Sequence, residues 1–195
     1  AMMEMQTHLL LTGKRGTGKT SLLKFIMDKN TIPFIHLDLR FIVSREQLFE
    51  LILKALSTSF PRIDLDKKFK SLGTDSQNAS LTNIFDLWYE MVKASNNKFI
   101  MVWDEFQHLA KFKENIFEEL KLSLNGRRGI THIFVSYRSD ILMEAFGRDG
   151  NAFFKNQEFY ELENLEQKAC TSFLTQHFRR MGLSDFDLPG AVYNF

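Results

Sequence analysis

Gly13-Lys14-Arg15-Gly16-Thr17-Gly18-Lys19-Thr20 satisfies the pattern G-x-x-x-x-G-K-[ST] at every fixed position. The residue types say what such a stretch can hold. Glycines let the backbone curl until successive N–H groups point into one concavity, which attracts an anion. A helix beginning directly behind the loop adds the positive end of its dipole. Lys19 offers a mobile ammonium that can reach the β- and γ-phosphates of a nucleotide, and Thr20 offers a hydroxyl suited to Mg²⁺. The candidate phosphate-binding residues are therefore Gly13, Lys14, Arg15, Gly16, Thr17, Gly18, Lys19, Thr20 and Ser21. The competing reading is a Gly-rich turn. The context weighs against it: an apolar run, His8 to Thr12, precedes the loop, and an amphipathic stretch, Ser21 to Met27, follows it.

A second group of chemical residues lies at Phe99-Ile100-Met101-Val102-Trp103-Asp104-Glu105, five apolar residues followed by two carboxylates. This is the Walker B pattern. Parallel strands are buried and open onto loops at their C-terminal ends, so a strand-exit acid pair without further role is the plain alternative. Behind a complete phosphate loop the functional reading is the stronger one. It expects Asp104 to hold the Mg²⁺ shell together with Thr20, and Glu105 to polarise an attacking water. A third group follows Thr131-His132-Ile133-Phe134-Val135, where Ser136 and then Arg138 stand at a strand exit. Ser136 reads equally as a residue that feels a γ-phosphate and as a plain exit serine. Arg138 is the best internal candidate for a second positive group.

The elements that must position these residues can be read from periodicity. Strands are expected at about 8–12, 33–38, 99–104, 131–136 and 159–162. Helices are expected from Lys19 to Lys29 and after Ser44, which heads the capping-box pattern Ser44-x-x-Gln47. Further helices are expected after Ser80, from Ile116 to Leu124, from an Asp140 cap to Phe146, and from Asn164 to near Gly182. The stretch from Thr58 to Ala79 has no clear period and reads as a long loop with one weak helical turn. Alternating strands and helices imply an α/β fold with a parallel sheet covered on both faces.

Composition bounds the rest. A chain of 195 residues, 44% hydrophobic and 25% charged, fits one ordinary globular domain. The net charge of +1 is less basic than a domain built mainly around a phosphate backbone. The 20 phenylalanines predict an aromatic-rich core. Cys170 is the single cysteine, so no intrachain disulfide can form; it reads as a small buried residue on a helix in a reducing, cytoplasmic setting. No apolar run approaches 18 residues, and no membrane span is expected. The five histidines show no zinc spacing, and the pairs Arg127-Arg128 and Arg179-Arg180 read as solvated faces.

The segments GKRGTGKTSLL, FIHLDLR, FIMVWDEFQHL and THIFVSYRSD, in that order, resemble the archaeal-type AAA ATPases of the STAND and origin-recognition-like branch of AAA+ P-loop proteins. The resemblance covers about residues 8–195. It implies a three-layer α/β/α P-loop NTPase core with strand order 5-1-4-3-2, which sets the Ser136 strand between the two motif strands. It also implies a nucleotide-binding core over residues 1–186, with residues 187–195 opening a truncated C-terminal helical or winged-helix lid. The chain departs from the family in three places. Only seven residues precede His8, where such proteins carry a box near the adenine. Val135-Ser136 replaces the usual Gly-Ser. Phe153-Phe154-Lys155, with Arg148 nearby, stands where a downstream arginine is common.

The function this resemblance implies is ATP binding with Mg²⁺-dependent hydrolysis, used as a conformational switch or motor. ATP or ADP and Mg²⁺ are the implied ligands. The catalytic set is Glu105, Lys19, Ser136 and Arg138, with Thr20 and Asp104 toward the metal. A non-hydrolysing nucleotide switch or scaffold is the first alternative and a P-loop kinase the second; the adjacent Asp104-Glu105 pair favours water as the acceptor. A homo-oligomer or protein partner is one candidate source of the positive group, beside Arg138, Arg148, Lys155 and the C-terminal lid, and by family analogy alone nucleic acid is a candidate ligand of a further C-terminal domain.

Overall fold

The computed structural model describes residues 7–71, 73, 79–112, 115–124, 128–147 and 157–180. The chain divides into two compact units, Ala1–Leu162 and Glu163–Phe195. The first holds strands β1 (His8–Thr12), β2 (Phe34–Asp38), β3 (Phe99–Asp104), β4 (Ile130–Val135) and β5 (Gln157–Glu161). Between them run helices α1 (Lys19–Lys29), α2 (Arg45–Ser59), α3 (Leu65–Ser71), α4 (Leu81–Ser95), α5 (Ile116–Leu124) and α6 (Ser139–Phe146). A 3₁₀ turn, Phe106–Lys111, follows β3.

All five strands are parallel, in the order β2-β3-β4-β1-β5. This is the expected 5-1-4-3-2 order, and the fold is that of an α/β P-loop NTPase. Alternate residues of β3 separate the two faces. Phe99, Met101 and Trp103 join a large core with α2, α3, α4, α5 and α6, whereas Ile100 and Val102 join a smaller one with Leu23 of α1. The large core is aromatic as the composition predicts: Phe106 packs against Phe117, Phe134 and Phe146 with ring centroids 5.3–5.5 Å apart. Arg45 of α2 ties this layer to α5 through two bonds to Glu119, at 2.9 and 2.6 Å.

β1, α1 and β3 fall where periodicity puts them, and the departures elsewhere have local causes. α2 continues to Ser59, past the expected break. Its N-cap Ser44 accepts from the Gln47 N–H, but Gln47 Oε1 accepts from Val43 N–H instead of closing the box on Ser44. The expected long loop contains two full turns, α3, because Phe69 is buried without exposure and Asp64 Oδ1 accepts from Lys67 N–H at 3.0 Å. Asp140 does not cap α6: the N-cap is Arg138, and Asp140 sits in the first turn paired with the Arg138 guanidinium. β5 is an edge strand whose residues are mostly exposed.

The second unit contains α7 (Gln167–Arg180). It starts later than Asn164; its first bond runs from Cys170 N–H to the Glu166 carbonyl. Cys170 is half-buried rather than buried, and Phe173 is exposed. Arg128, Arg179 and Arg180 are exposed, as expected. The side chains of Leu174, His177 and Phe178, and the whole of Arg127, Arg148, Lys155, Gly182 and residues 187–195, lie outside the described residues. Among the described residues no helix is long and apolar enough to cross a membrane.

Candidate nucleotide site

The loop between β1 and α1 is anchored at its base. Leu162 N–H donates to the Thr12 carbonyl at 2.8 Å, and Ser136 N–H donates to the Leu11 carbonyl at 3.0 Å. These bonds bring the exits of β5 and β4 against the exit of β1. They also explain Gly13: at φ +144 an added Cβ would stand 2.3 Å from the Leu162 carbonyl oxygen. Gly16 and Gly18 differ. Their φ values, +82 and +88, are left-handed, and an added Cβ would meet nothing within 4 Å. Here the glycines are required by backbone conformation, and the space they leave is a cradle that side chains would fill.

Gly18 caps α1, and its carbonyl accepts the first helical bond from Leu22 N–H at 2.8 Å. Lys19 Nζ donates to the carbonyls of Gly13 and Lys14 at 2.7 and 2.8 Å, which fixes the ammonium inside the curl of the loop. Burial lowers the Lys19 pKa, opposed by the charges of Glu105 and Asp104, so both acids face the same space as the ammonium. Thr17 Oγ1 donates to the Lys14 carbonyl at 3.0 Å. Lys14, Arg15 and Ser21 are exposed. The Arg15 guanidinium lies 4.8 Å over the Tyr137 ring, so one flank of the loop rests on the exit of β4.

The two sequence motifs meet directly. Thr20 Oγ1 donates to Asp104 Oδ2 at 2.9 Å, across 84 residues of chain. The same oxygen lies 3.2 Å from His36 Nε2 on β2. Glu105 N–H donates to Asp104 Oδ1 at 3.0 Å, so both carboxylate oxygens are engaged. Burial pushes the Asp104 carboxyl up and is the largest single influence. The hydrogen bonds from His36 and Thr20, the His36 charge and the Glu105 N–H together outweigh it and hold the group below the usual range. A hydroxyl and an ionised carboxylate in contact, beside a phosphate cradle, are the oxygen donors that suit Mg²⁺.

Glu105 adopts φ 59, ψ 41, a left-handed conformation that costs a non-glycine residue about 1–2 kcal/mol. The reversal turns the chain into the 3₁₀ segment and brings Gln107 back alongside. Gln107 is buried, donates from Nε2 to Glu105 Oε2, and accepts at Oε1 from Ser136 Oγ at 2.9 Å. Ser136 is thus in the site, between β1 and β3. Arg138 is not joined to it by its guanidinium, which is paired bidentately with Asp140 and half exposed. Arg40, after β2, is paired in the same way with Asp38.

His36 and Gln107 escaped the reading of the residues by type. His36 is a polar residue inside an otherwise apolar strand, and Gln107 lies two residues past Glu105; each was visible as a departure from its surroundings. What could not be read is the parallel register, Asp38 opposite Asp104, that brings β2 against the β3 acid.

Solved structures with the same fold include a Walker-type ATPase of Pyrococcus abyssi, with TM-score 0.72 at 20% identity over 96% of this chain and 58% of that one. The ORC2 protein of Aeropyrum pernix, solved in ADPNP–ADP complexes, gives 0.63 at 16% identity, over 91% of this chain and 48% of that chain. The ORC1 protein of the same organism, solved in complex with DNA, gives 0.59 at 13% identity, over 89% and 44%. The chain thus spans between 44% and 58% of these proteins' lengths. A search of curated proteins finds no match to it. The model of the family described as AAA domain matches residues 3–139, more than half of the chain, including the phosphate loop, both acids and Ser136; with that match and this fold, the chain belongs to the AAA domain family.

Proposed function

We propose that the chain binds ATP and hydrolyses it in a Mg²⁺-dependent reaction, as the core of a conformational switch or motor. The observation that carries this reading is the 2.9 Å bond between Thr20 and Asp104, which unites the two motifs in one place. The loop N–H groups and Lys19 bind the phosphates, and Thr20 and Asp104 are the residues that would hold the metal. When bound, Mg²⁺ supplies positive charge to the phosphate oxygens. Glu105 accepts the proton of the attacking water, and its backbone bond to Asp104 fixes the relative placement of the two acids.

A second reading, nucleotide binding with little turnover, is favoured by Arg138. Phosphoryl transfer needs charge neutralised from more than one side, and an added arginine raises rates by about 10³–10⁵. The internal candidate is engaged by Asp140. A second copy or another partner supplying the positive group reconciles the two. DNA belongs among the partners to try, since one of the similar proteins was solved with it.

The test is ATP turnover per site for the parent and Glu105→Gln, measured across protein concentration with and without DNA. Glu105→Gln should retain nucleotide and Mg²⁺ binding and lose about 10²-fold in rate, the scale of a lost general base. A variant as fast as the parent would reduce Glu105 to a strand-exit acid. A parent rate independent of concentration and of DNA would remove the need for a partner's charge.

A further inference from the structure

Glu105 and Ser136 stand at the exits of neighbouring strands, and one buried side chain bridges them. Gln107, 6% exposed, donates from Nε2 to Glu105 Oε2 and accepts at Oε1 from the Ser136 hydroxyl at 2.9 Å. The amide can face only one way. An ionised carboxylate has no proton to give, so the end beside Glu105 is the NH₂ and the carbonyl is left for the hydroxyl. The bridge depends on the left-handed turn at Glu105, which returns the chain so that residues 105 and 107 are adjacent in space. A strained conformation maintained at this one residue is where a positioning device belongs.

The Ser136 hydroxyl has one proton and two acceptors within reach: Gln107 Oε1 at 2.9 Å and the Arg138 carbonyl at 3.0 Å. It also accepts from Arg138 N–H at 2.9 Å, which keeps the oxygen fixed while the proton has a choice. With the proton on Gln107, the amide is anchored at both ends and one Glu105 oxygen is held. With the proton turned to the Arg138 carbonyl, the Gln107 carbonyl loses this donor.

We propose that Gln107 is a positioning residue that holds the Glu105 carboxylate for its work on water, and that Ser136 acts on Glu105 through it. The inference rests on the hydrolytic reading of Glu105 and adds to it a connection from the exit of β4 to the β3 acid. Ser136 then does more than contact a ligand: its hydroxyl sets whether Glu105 is held.

Two measurements test this. The first is a double-mutant cycle in ATP turnover with Gln107→Met, Ser136→Ala and both together, beside Glu105→Gln. Methionine keeps length and burial without the amide. Gln107→Met should lower kcat by about tenfold or more, the scale of one hydrogen bond to a charged group, with nucleotide affinity and Mg²⁺ requirement unchanged. Ser136→Ala should cost much less in the Gln107→Met background than in the parent. Independent, multiplying losses would overturn the connection, and a Gln107→Met kcat at or above the parent's would overturn the positioning role. If Glu105→Gln is itself as fast as the parent, the hydrolytic reading has failed; if Glu105→Gln is slow and Gln107→Met is not, only the bridge has.

The second measurement needs no turnover. In protein labelled with ¹⁵N-glutamine, the Gln107 side-chain amide signals, assigned by their loss in Gln107→Met, should shift in both Glu105→Ala and Ser136→Ala. Signals that stay in place in both variants would overturn the bridge, whatever the ATPase rates.

Discussion

Acid should destabilise this domain through two stacked histidines beneath the site. His8 on β1 and His132 on β4 lie with ring centroids 5.4 Å apart, and both are buried. Trp103 Nε1, which can only donate, gives its proton to His132 Nδ1 at 3.2 Å, so neutral His132 carries its own proton on Nε2 beside the Tyr89 hydroxyl at 2.9 Å. His132 N–H donates to His8 Nδ1 at 3.1 Å. Protonating either Nδ1 would set one N–H against another. Burial pushes His8 from 6.5 down to about 4, and burial with the His8 charge pushes His132 well below the usual value. These are bases lowered on folding, so below pH 6.5 the unfolded chain binds more protons than the folded one. Their contribution is present above that pH and is lost as pH falls, for His8 until about 4. From pH 7 to pH 5 the His8 ring loses about 2 kcal/mol at ~1.4 kcal/mol per unit, and His132 adds to the loss in the same direction. At about 2–4 °C per kcal/mol, His8 alone should lower the melting temperature by ~4–8 °C, with the fall from His132 added to it. His8→Asn keeps an acceptor for the His132 backbone N–H and cannot titrate, so the ~4–8 °C owed to His8 should vanish. Melting curves of parent and variant from pH 7 to pH 5 decide it. Equal slopes for both would show that His8 is not buried neutral, and the reasoning would fail.

Gly13→Ala should lower the melting temperature and abolish nucleotide binding, because its Cβ would meet backbone 2.3 Å away that no rotamer change can relieve. Gly16→Ala has open space and should cost only the left-handed penalty of about 1–2 kcal/mol; equal stability of the two variants would refute the assigned contact. His36→Ala removes one of the partners of Asp104 Oδ2 and should raise the Mg²⁺ needed for tight nucleotide binding by up to about tenfold, leaving affinity in EDTA unchanged. An unaltered Mg²⁺ dependence would make His36 a packing residue.

The phosphate loop was legible because its requirements are local: glycine where φ is positive, lysine and threonine at fixed offsets from them. β3 was legible because a strand buried on both faces is a continuous apolar run ending in its acids. α3 was not, since a seven-residue helix offers only Leu65 and Phe69, a single i, i+4 step too short to stand out as a period. The strand order came from family resemblance, because no pattern within a parallel strand names its neighbours. Gln107 and His36 were missed for a related reason. Their partners are set by a left-handed turn at Glu105 and by inter-strand register, neither of which residue type announces. The pairing of Arg138 with Asp140 is local and could have been anticipated: with Arg40 and Asp38 it makes two cases of an arginine and an aspartate two residues apart at a strand exit.

The sheet order also explains why Ser136 is placed to affect both halves of the site. β4 lies between β1, which leads into the loop, and β3, which ends in the acids. Ser136 is therefore bound on two sides: its backbone N–H to the Leu11 carbonyl, its hydroxyl to Gln107 and through it to Glu105. Tyr137, the next residue, carries Arg15 of the loop on its ring. A displacement of the β4 exit by a fraction of an ångström must lengthen one of these contacts, since strands hydrogen-bonded on both edges cannot shift one without the other. The loop that would meet the phosphates and the acid that would meet the water are in this way held to a common reference, one strand that carries neither of them.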